Sequence, residues 1–472
     1  MKSLFKAQID WGVYVVAAIA IRLLFFDISW LSYAAILIAL QQFFLLFYSI
    51  GYVIPIRYLA GALMCLQMLV GPTLAYNGLD VYQKGFLKMQ IPEADYFSYA
   101  IPAVICFILG LHITAGNLKG EFVNQEKIKK YVEQNNTLPY YFIGIGFVSS
   151  VTADFFGSEL GFVFTLLGCF KYIGAFLIIL GNRRLKPLFL VLVYGSIVAS
   201  SLRGAMFHDL ITWLIFLGTV FAIKYKPSIN IKAIFVTGFI LFAITVQQLK
   251  GGYRQAVWRE GEEGSVETLS AVYGENEKEG GIFSAQKLGE SNVRINQGFI
   301  VTNIMQTVPA KVPFENGAEM IDIIKAAILP RILAPNKLKA GDRDIFMKYS
   351  GMPLAKGTSM GLGSLGDCYI NFGLIGGAIS MFFYGLFFSE VLNAFYKNSF
   401  SYPVLILFTP LVFYYPIRPD CELQTILGHL VKSCFLIFVM IQVWKIKFQI
   451  RPVRTAVPEE VFSRRRGIAI TQ

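Results

Sequence analysis

The sequence predicts an all-α, polytopic helical membrane protein: about twelve transmembrane helices and one long extracytoplasmic loop containing amphipathic helices. Three observations predict it. The 472 residues are 55% hydrophobic and only 15% charged, and the mean hydropathy of +0.57 lies outside the balance of soluble globular chains. About twelve apolar runs approach the roughly 20 residues that a helix needs to cross a hydrocarbon core of about 30 Å. Transmembrane β-strands would alternate strictly over about 10 residues, and the chain shows no such alternation. Helices also satisfy their own backbone hydrogen bonds, which lipid cannot do.

The spans in chain order are approximately 9–26, 31–50, 57–76, 96–115, 139–157, 160–181, 187–202, 205–223, 231–249, 369–392, 401–417 and 424–444. The first resembles a signal peptide as far as Ala20, but Arg22 and a further apolar stretch continue it, so an uncleaved span is expected. The lysines and arginines of the short loops set the orientation. Lys2, Lys6, Arg57, the stretch KGEFVNQEKIKK, Arg183, Arg184, Lys186, Lys224, Lys226, Lys232 and Lys397 fall on one side, with the tail from Lys445 to Arg466. Both termini are then cytoplasmic. The chain divides into a bundle at 1–249 (about nine spans), an extracytoplasmic loop or lid at 250–368, about three further spans at 369–445, and a basic tail at 446–472. The net charge of +12 is mostly this topogenic bias, so it does not argue for nucleic acid. Membrane lipids are the expected surroundings, and the tail can touch anionic headgroups.

The loop has internal organisation. From Glu260 to Glu290 it is acidic, Gly-rich and poor in apolar residues, as a mobile loop would be. NVRINQGFIVTNIMQTVP and EMIDIIKAAILP carry apolar residues at helical spacing, and each reads as an amphipathic helix at the membrane surface or over a cavity. Pro330, Pro335, Gly361, Gly363 and Gly366 break regular structure afterwards.

Phosphate loops, dinucleotide fingerprints and metal-ligand spacings are absent, and the three histidines are His112, His208 and His429. No cofactor or metal is expected. The six cysteines form no CxxC pair; Cys368 and Cys421 share the outer side, where the sequence alone does not bring their α-carbons together. What remains is a set of outer-face arginines: Arg203 in SSLRGAM, Arg254 and Arg259 after the ninth span, Arg294 in SNVRINQG, Arg331 in LPRILAP, Arg343, and Arg418 with Asp420 in PIRPD. Charge held at a membrane boundary by apolar neighbours points to a site. A guanidinium also suits phosphate, because its planar fork can bind two oxygens and stays charged. Arg343 and Arg259 sit in charged stretches and read as solvated surface.

LPRILAPNK followed by GLGSLGDCYINFGLIGG resembles the paired signatures of the Wzy-type oligosaccharide repeat-unit polymerases, as do Arg203-Gly204 opening a span and the long outer loop. The signatures cover about forty residues. Ala334 stands where that family commonly has an aromatic, and Asp367 where glutamate is common. The resemblance implies a bacterial inner-membrane glycosyltransferase of surface polysaccharide or O-antigen assembly. It would move a growing glycan from undecaprenyl pyrophosphate onto the next lipid-linked repeat unit, alongside a chain-length regulator and a flippase. Asp367, Arg331 and Arg203 are then the expected catalytic residues. Arg294, Arg418, Arg254, Tyr369, Asn371 and His208 are the expected substrate contacts, with Glu290, Asp420 and His208 as weaker bases. Capping explains Asp367, and packing explains Tyr369 and Asn371, nearly as well. An O-antigen ligase would carry a histidine in the outer loop, and this chain has none between His208 and His429. A transporter or flippase would show broken helices and charges near the midplane.

Overall fold

In this computed structural model the described residues are 10–79, 85–115, 121–155, 158–181, 186–278, 281, 284, 289, 292–293, 295–329, 334, 337–339, 341–356 and 358–447. Among them the chain is nearly all helix, with a lone bridge between Val53 and Phe122 and no strand. Among the described residues nine helices are long and apolar enough to cross a membrane, and three shorter apolar helices fall on the remaining expected spans. The fold is that of a helical membrane protein. The short ones are α1 (Trp11–Leu24), α6 (Leu138–Thr152) and α16 (Pro403–Val412).

The nine are α2 (Trp30–Ser49), α3 (Ile56–Gly78), α4 (Glu93–Ile113), α7 (Gly161–Gly181), α8 (Pro187–Gly204), α9 (His208–Tyr225), α10 (Ile229–Glu260), α15 (Gly363–Ser399) and α17 (Leu423–Val443). Burial follows composition. Phe170–Gly181 of α7 is apolar apart from Lys171 and Tyr172 and is buried along its whole length, whereas α10 leaves Ile234, Phe235 and Ile240 exposed, as a lipid-facing helix does.

The most extensive helix pair is α4 against α15, and small residues make it. A methyl group on Gly110 would run into the backbone of Phe382 and Leu386, and one on Gly385 into the backbone of Phe107. Reciprocal glycines let two membrane helices approach backbone to backbone, where dispersion replaces the missing hydrophobic drive. At one end of this pair Arg57, expected only as a topogenic charge, is fully buried. It donates to Ser389 Oγ at 2.6 Å, Asn393 Oδ1 at 3.0 Å, Glu121 Oε1 at 3.4 Å and the carbonyl of Leu111.

Three features of the polar segment differ from expectation. The ninth span does not stop at residue 249: α10 runs on to Glu260, about 48 Å in all, which carries its last turns beyond a 30 Å core. The acidic stretch expected as a mobile loop contains a helix, α11 (Val266–Lys278). Ser265 Oγ caps it by accepting the Thr268 N–H at 3.2 Å, and Thr268, Val272 and Asn276 form its buried stripe. The first expected amphipathic helix, α12 (Gly298–Thr307), is buried on nearly every face. Its polar groups find partners in the bundle: Thr302 Oγ1 accepts the Gln90 N–H at 3.1 Å, and Asn303 Nδ2 donates to the Phe86 carbonyl at 2.9 Å. The second, α13 (Ala318–Ile328), is amphipathic, with Ile323, Ala326 and Ala327 buried and Ile321, Ile324 and Ile328 exposed. A further short helix, α14 (Arg343–Ser350), packs on α12.

The α4–α15 contact gives the first prediction. Gly385→Ala should lower the thermal unfolding midpoint of the purified protein in detergent, at an overpacking cost of about 1–3 kcal/mol. Gly428→Ala, where a methyl group meets nothing within 4 Å, should leave the midpoint unchanged or raise it.

Candidate functional site

Of the expected site residues, Arg331, Arg294 and Glu290 lie outside the described residues. The others separate into two groups at one end of the bundle.

The first group is the motif helix. Residues 363–372 form the opening turns of α15, which breaks at Gly373, where φ of 67° and ψ of −159° are open only to glycine. Each conspicuous polar residue of GDCYIN is committed to backbone. Asp367, 2% exposed, accepts the Leu423 N–H at 2.6 Å and so caps α17. Asn371 Oδ1 accepts the Met320 N–H at 3.1 Å and caps α13, while its Nδ2 donates to the Asp367 carbonyl at 2.9 Å. The Tyr369 hydroxyl donates to the Val308 carbonyl at 3.3 Å, and its ring packs against Tyr99 and Phe314. The side chain expected as the catalytic base is a buried helix cap. Cys368 and Cys421 are free buried thiols.

The second group joins three distant stretches: the α8–α9 turn, the end of α10, and the 414–420 turn before α17. The α8–α9 turn is closed by Ala205 in the left-handed region, and α10 covers its open carbonyls. The Tyr253 hydroxyl donates to Leu202 at 3.1 Å, and Arg254 Nε donates to Ala205 at 3.0 Å. Arg254 also lies 4.6 Å over the Trp258 ring. Arg203 on that turn is exposed. Beyond it α9 opens with His208 and Asp209, and the Tyr414 hydroxyl donates to Asp209 Oδ1. The Tyr414 ring sits 5.9 Å from His208, and Tyr415 lies 4.9 Å from His429. Arg418 makes a fork to Asp420, with Nη2 to Oδ2 at 2.8 Å and Nε to Oδ1 at 3.5 Å, and its guanidinium is 5.5 Å from the Tyr415 ring. Burial alone would raise Asp420, but the Arg418 charge and its hydrogen bonds hold the carboxyl below the ordinary range, so it stays ionised.

Chemically this end offers guanidinium groups for an anion, an exposed carboxylate at Asp209 and aromatic faces for a sugar ring. Among the described residues no three His, Cys, Asp or Glu side chains are placed to hold a metal.

Residues 87–414 match a domain of unknown function, DUF8712. The chain belongs to that family. No curated protein and no solved structure matches it. The family's stretch takes in Arg203, His208, Asp209, Arg254 and the motif helix, and stops at Tyr414, short of Arg418 and Asp420.

Sequence reasoning passed over Asp209, Tyr414 and the acidic group on α13. Asp209 follows His208 directly in the turn that drew attention through Arg203, and Tyr414 stands four residues before Arg418, so proximity in sequence was the available signal. No sequence pattern pairs α13 with α17. Glu319 on α13 faces Glu315, Asp322, Lys348 and Glu422, with Asp367 beyond. Burial, helped by Glu315 and opposed by Lys348, pushes its carboxyl up to about 7. Burial also raises Glu422, against the Gly341 N–H that it accepts at 2.6 Å.

Glu319 therefore binds its proton more tightly folded than unfolded. Its contribution to stability is full below the unfolded value near 4.5 and is lost as pH rises through about 7. The detergent-solubilised protein should lose a few degrees of unfolding midpoint between pH 6 and pH 8, and Glu319→Gln should flatten that slope. An unchanged slope in the variant would assign the dependence to other groups.

Proposed function

We propose that the protein polymerises oligosaccharide repeat units carried on undecaprenyl pyrophosphate, at the extracytoplasmic face of a bacterial inner membrane. In this reading the three short apolar helices also cross, giving twelve spans with both termini cytoplasmic. The lysine-bearing end of the bundle, with Lys127, Lys226 and Lys232, is then the cytoplasmic one, and the arginine end is outside. The observation that carries the reading is the meeting of three distant stretches, the α8–α9 turn, the end of α10 and the 414–420 turn, which brings Arg254, Asp209, Arg418 and Asp420 to one end of the bundle with Arg203 exposed on the first of these turns. The resemblance of LPRILAPNK and GLGSLGDCYINFG to polymerase signatures supports it.

In the transfer, the bond between the donor's anomeric carbon and the pyrophosphate oxygen breaks. A hydroxyl oxygen of the acceptor's non-reducing end bonds to that carbon. The hydroxyl proton passes to the Asp209 carboxylate, and undecaprenyl pyrophosphate leaves with the electron pair. The arginines hold the charge that develops on the leaving group, and their fixed positions avoid reorganisation cost during the step. Arg331 and Arg294 belong to the same proposal through the motif resemblance. Asp209 replaces Asp367 as the base because its carboxylate is exposed and already takes a hydroxyl hydrogen bond from Tyr414.

One observation favours a second reading, movement of a lipid-linked sugar without chemistry. α15 breaks at Gly373, and α3 widens into π-helical turns at Leu66–Val70, as discontinuous transporter helices do.

Incubating the purified protein with a defined lipid-linked repeat unit separates the two. Polymerisation yields a product ladder. Arg418→Ala should reduce the ladder at least about a hundredfold while the protein stays inserted and folded. Substrate that crosses proteoliposomes unchanged would support the transport reading and sink the polymerase.

A further inference from the structure

The lysine-bearing end of the bundle contains a cavity that the proposed transfer does not use. Four separate stretches enclose its 440 Å³: 51–52 after α2, 122–128, 223–226 at the end of α9, and 399–406 after α15. The size falls within the range of about 300–1,000 Å³ typical of small-molecule sites. The 122–128 wall opens α5 (Gln125–Gln134), whose cap Asn124 accepts the Lys127 N–H at 3.0 Å.

The lining is amphiphilic. Tyr52, Phe122 and Phe400 supply aromatic walls, and Lys127 and Lys226 supply positive charge against one carboxylate, Glu126. Among the described residues neither lysine is engaged in an ion pair, and Lys127 Nζ lies 5.7 Å over the Phe400 ring. Lys226 closes the turn between α9 and α10 with φ of 47°, a left-handed position where glycine or asparagine is the ordinary choice. A third lysine fixes the opposite wall. Lys232 Nζ donates to the Ile50 carbonyl at 2.6 Å and lies 5.0 Å over the Tyr52 ring.

The walls come from the ends of α2, α9 and α15, the depth at which lipid headgroups sit. A basic, aromatic-walled recess between helix ends suits a group with a phosphate at one end and hydrocarbon at the other. We propose that this cavity is a binding site for an anionic phospholipid, with the headgroup phosphate between Lys127 and Lys226 and the glycerol and upper acyl chain along Tyr52, Phe122 and Phe400. The site makes the packing of α5, α9 and the α15 end dependent on a bound lipid. It stands independently of the glycan chemistry at the other end.

The test is thermal unfolding of the purified full-length protein in detergent, titrated in parallel with short-chain phosphatidylglycerol, phosphatidylcholine of equal chain length, and inorganic phosphate. Phosphatidylglycerol should raise the midpoint saturably and phosphatidylcholine should not. Replacing both lysines, Lys127→Ala with Lys226→Ala, should weaken the apparent affinity roughly thirtyfold, at the surface value per lysine. Equal responses to the two lipids, or a folded double variant that responds like the wild type, would overturn the site. A response to inorganic phosphate equal to that of phosphatidylglycerol would overturn the lipid assignment. Should the double variant not fold, a photoactivatable phosphatidylglycerol on the wild-type protein decides. Labelling within 121–128 or 399–406 supports the site, and labelling only elsewhere refutes it.

Discussion

The hydrogen bond from the Leu423 N–H to the Asp367 carboxyl group ties the opening turns of α15 to the start of α17. It is buried and made to a helix terminus, so its loss would leave both a carboxyl group and an orphan N–H without water. Through it the motif helix fixes the start of α17 and therefore the turn that carries Tyr414, Arg418 and Asp420. Asn371, one turn on, fixes the start of α13 in the same way. The reciprocal glycines of α4 and α15 hold the span below this helix, so it caps its neighbours from a rigid base. Gly373 then turns the chain between the two parts in a conformation that only glycine supplies.

This arrangement separates architecture from chemistry. The residues that look most like a signature, Asp367, Tyr369 and Asn371, spend their polar groups on the backbone of other elements. The ion-paired Arg418 and Asp420 stand in the turn before α17 that the Asp367 cap positions, and the exposed Arg203 and Asp209 stand in the α8–α9 turn, joined to it by the Tyr414–Asp209 hydrogen bond. A motif can thus mark a site by holding it in place.

The all-helical class and the order of the apolar helices were legible in the sequence, because hydropathy and helix length are local properties. The polar segment was legible only in part. The helix at Val266–Lys278 was hidden by its acidic composition, and its cap at Ser265 and stripe at Thr268, Val272 and Asn276 are meaningful only against α10. The burial of Gly298–Thr307 was hidden because Thr302 and Asn303 look exposed until Gln90 and Phe86 are brought to them. Arg57 read as a topogenic charge for the same reason: Glu121, Ser389 and Asn393 are distant in sequence. For the site, Arg418 with Asp420 was visible as a pair in PIRPD. The partnership of Tyr414 with Asp209 spans 205 residues and depends on the fold.

The division between cap and chemistry is tested most directly by Asp367→Asn in the repeat-unit assay, with folding monitored in the same sample. Asparagine keeps an oxygen that can accept the Leu423 N–H but cannot take a proton. If Asp367 is a cap, the variant keeps its unfolding midpoint within a few degrees and still yields the ladder. A folded Asp367→Asn protein whose ladder falls by the hundredfold or more expected for a lost general base would contradict the account.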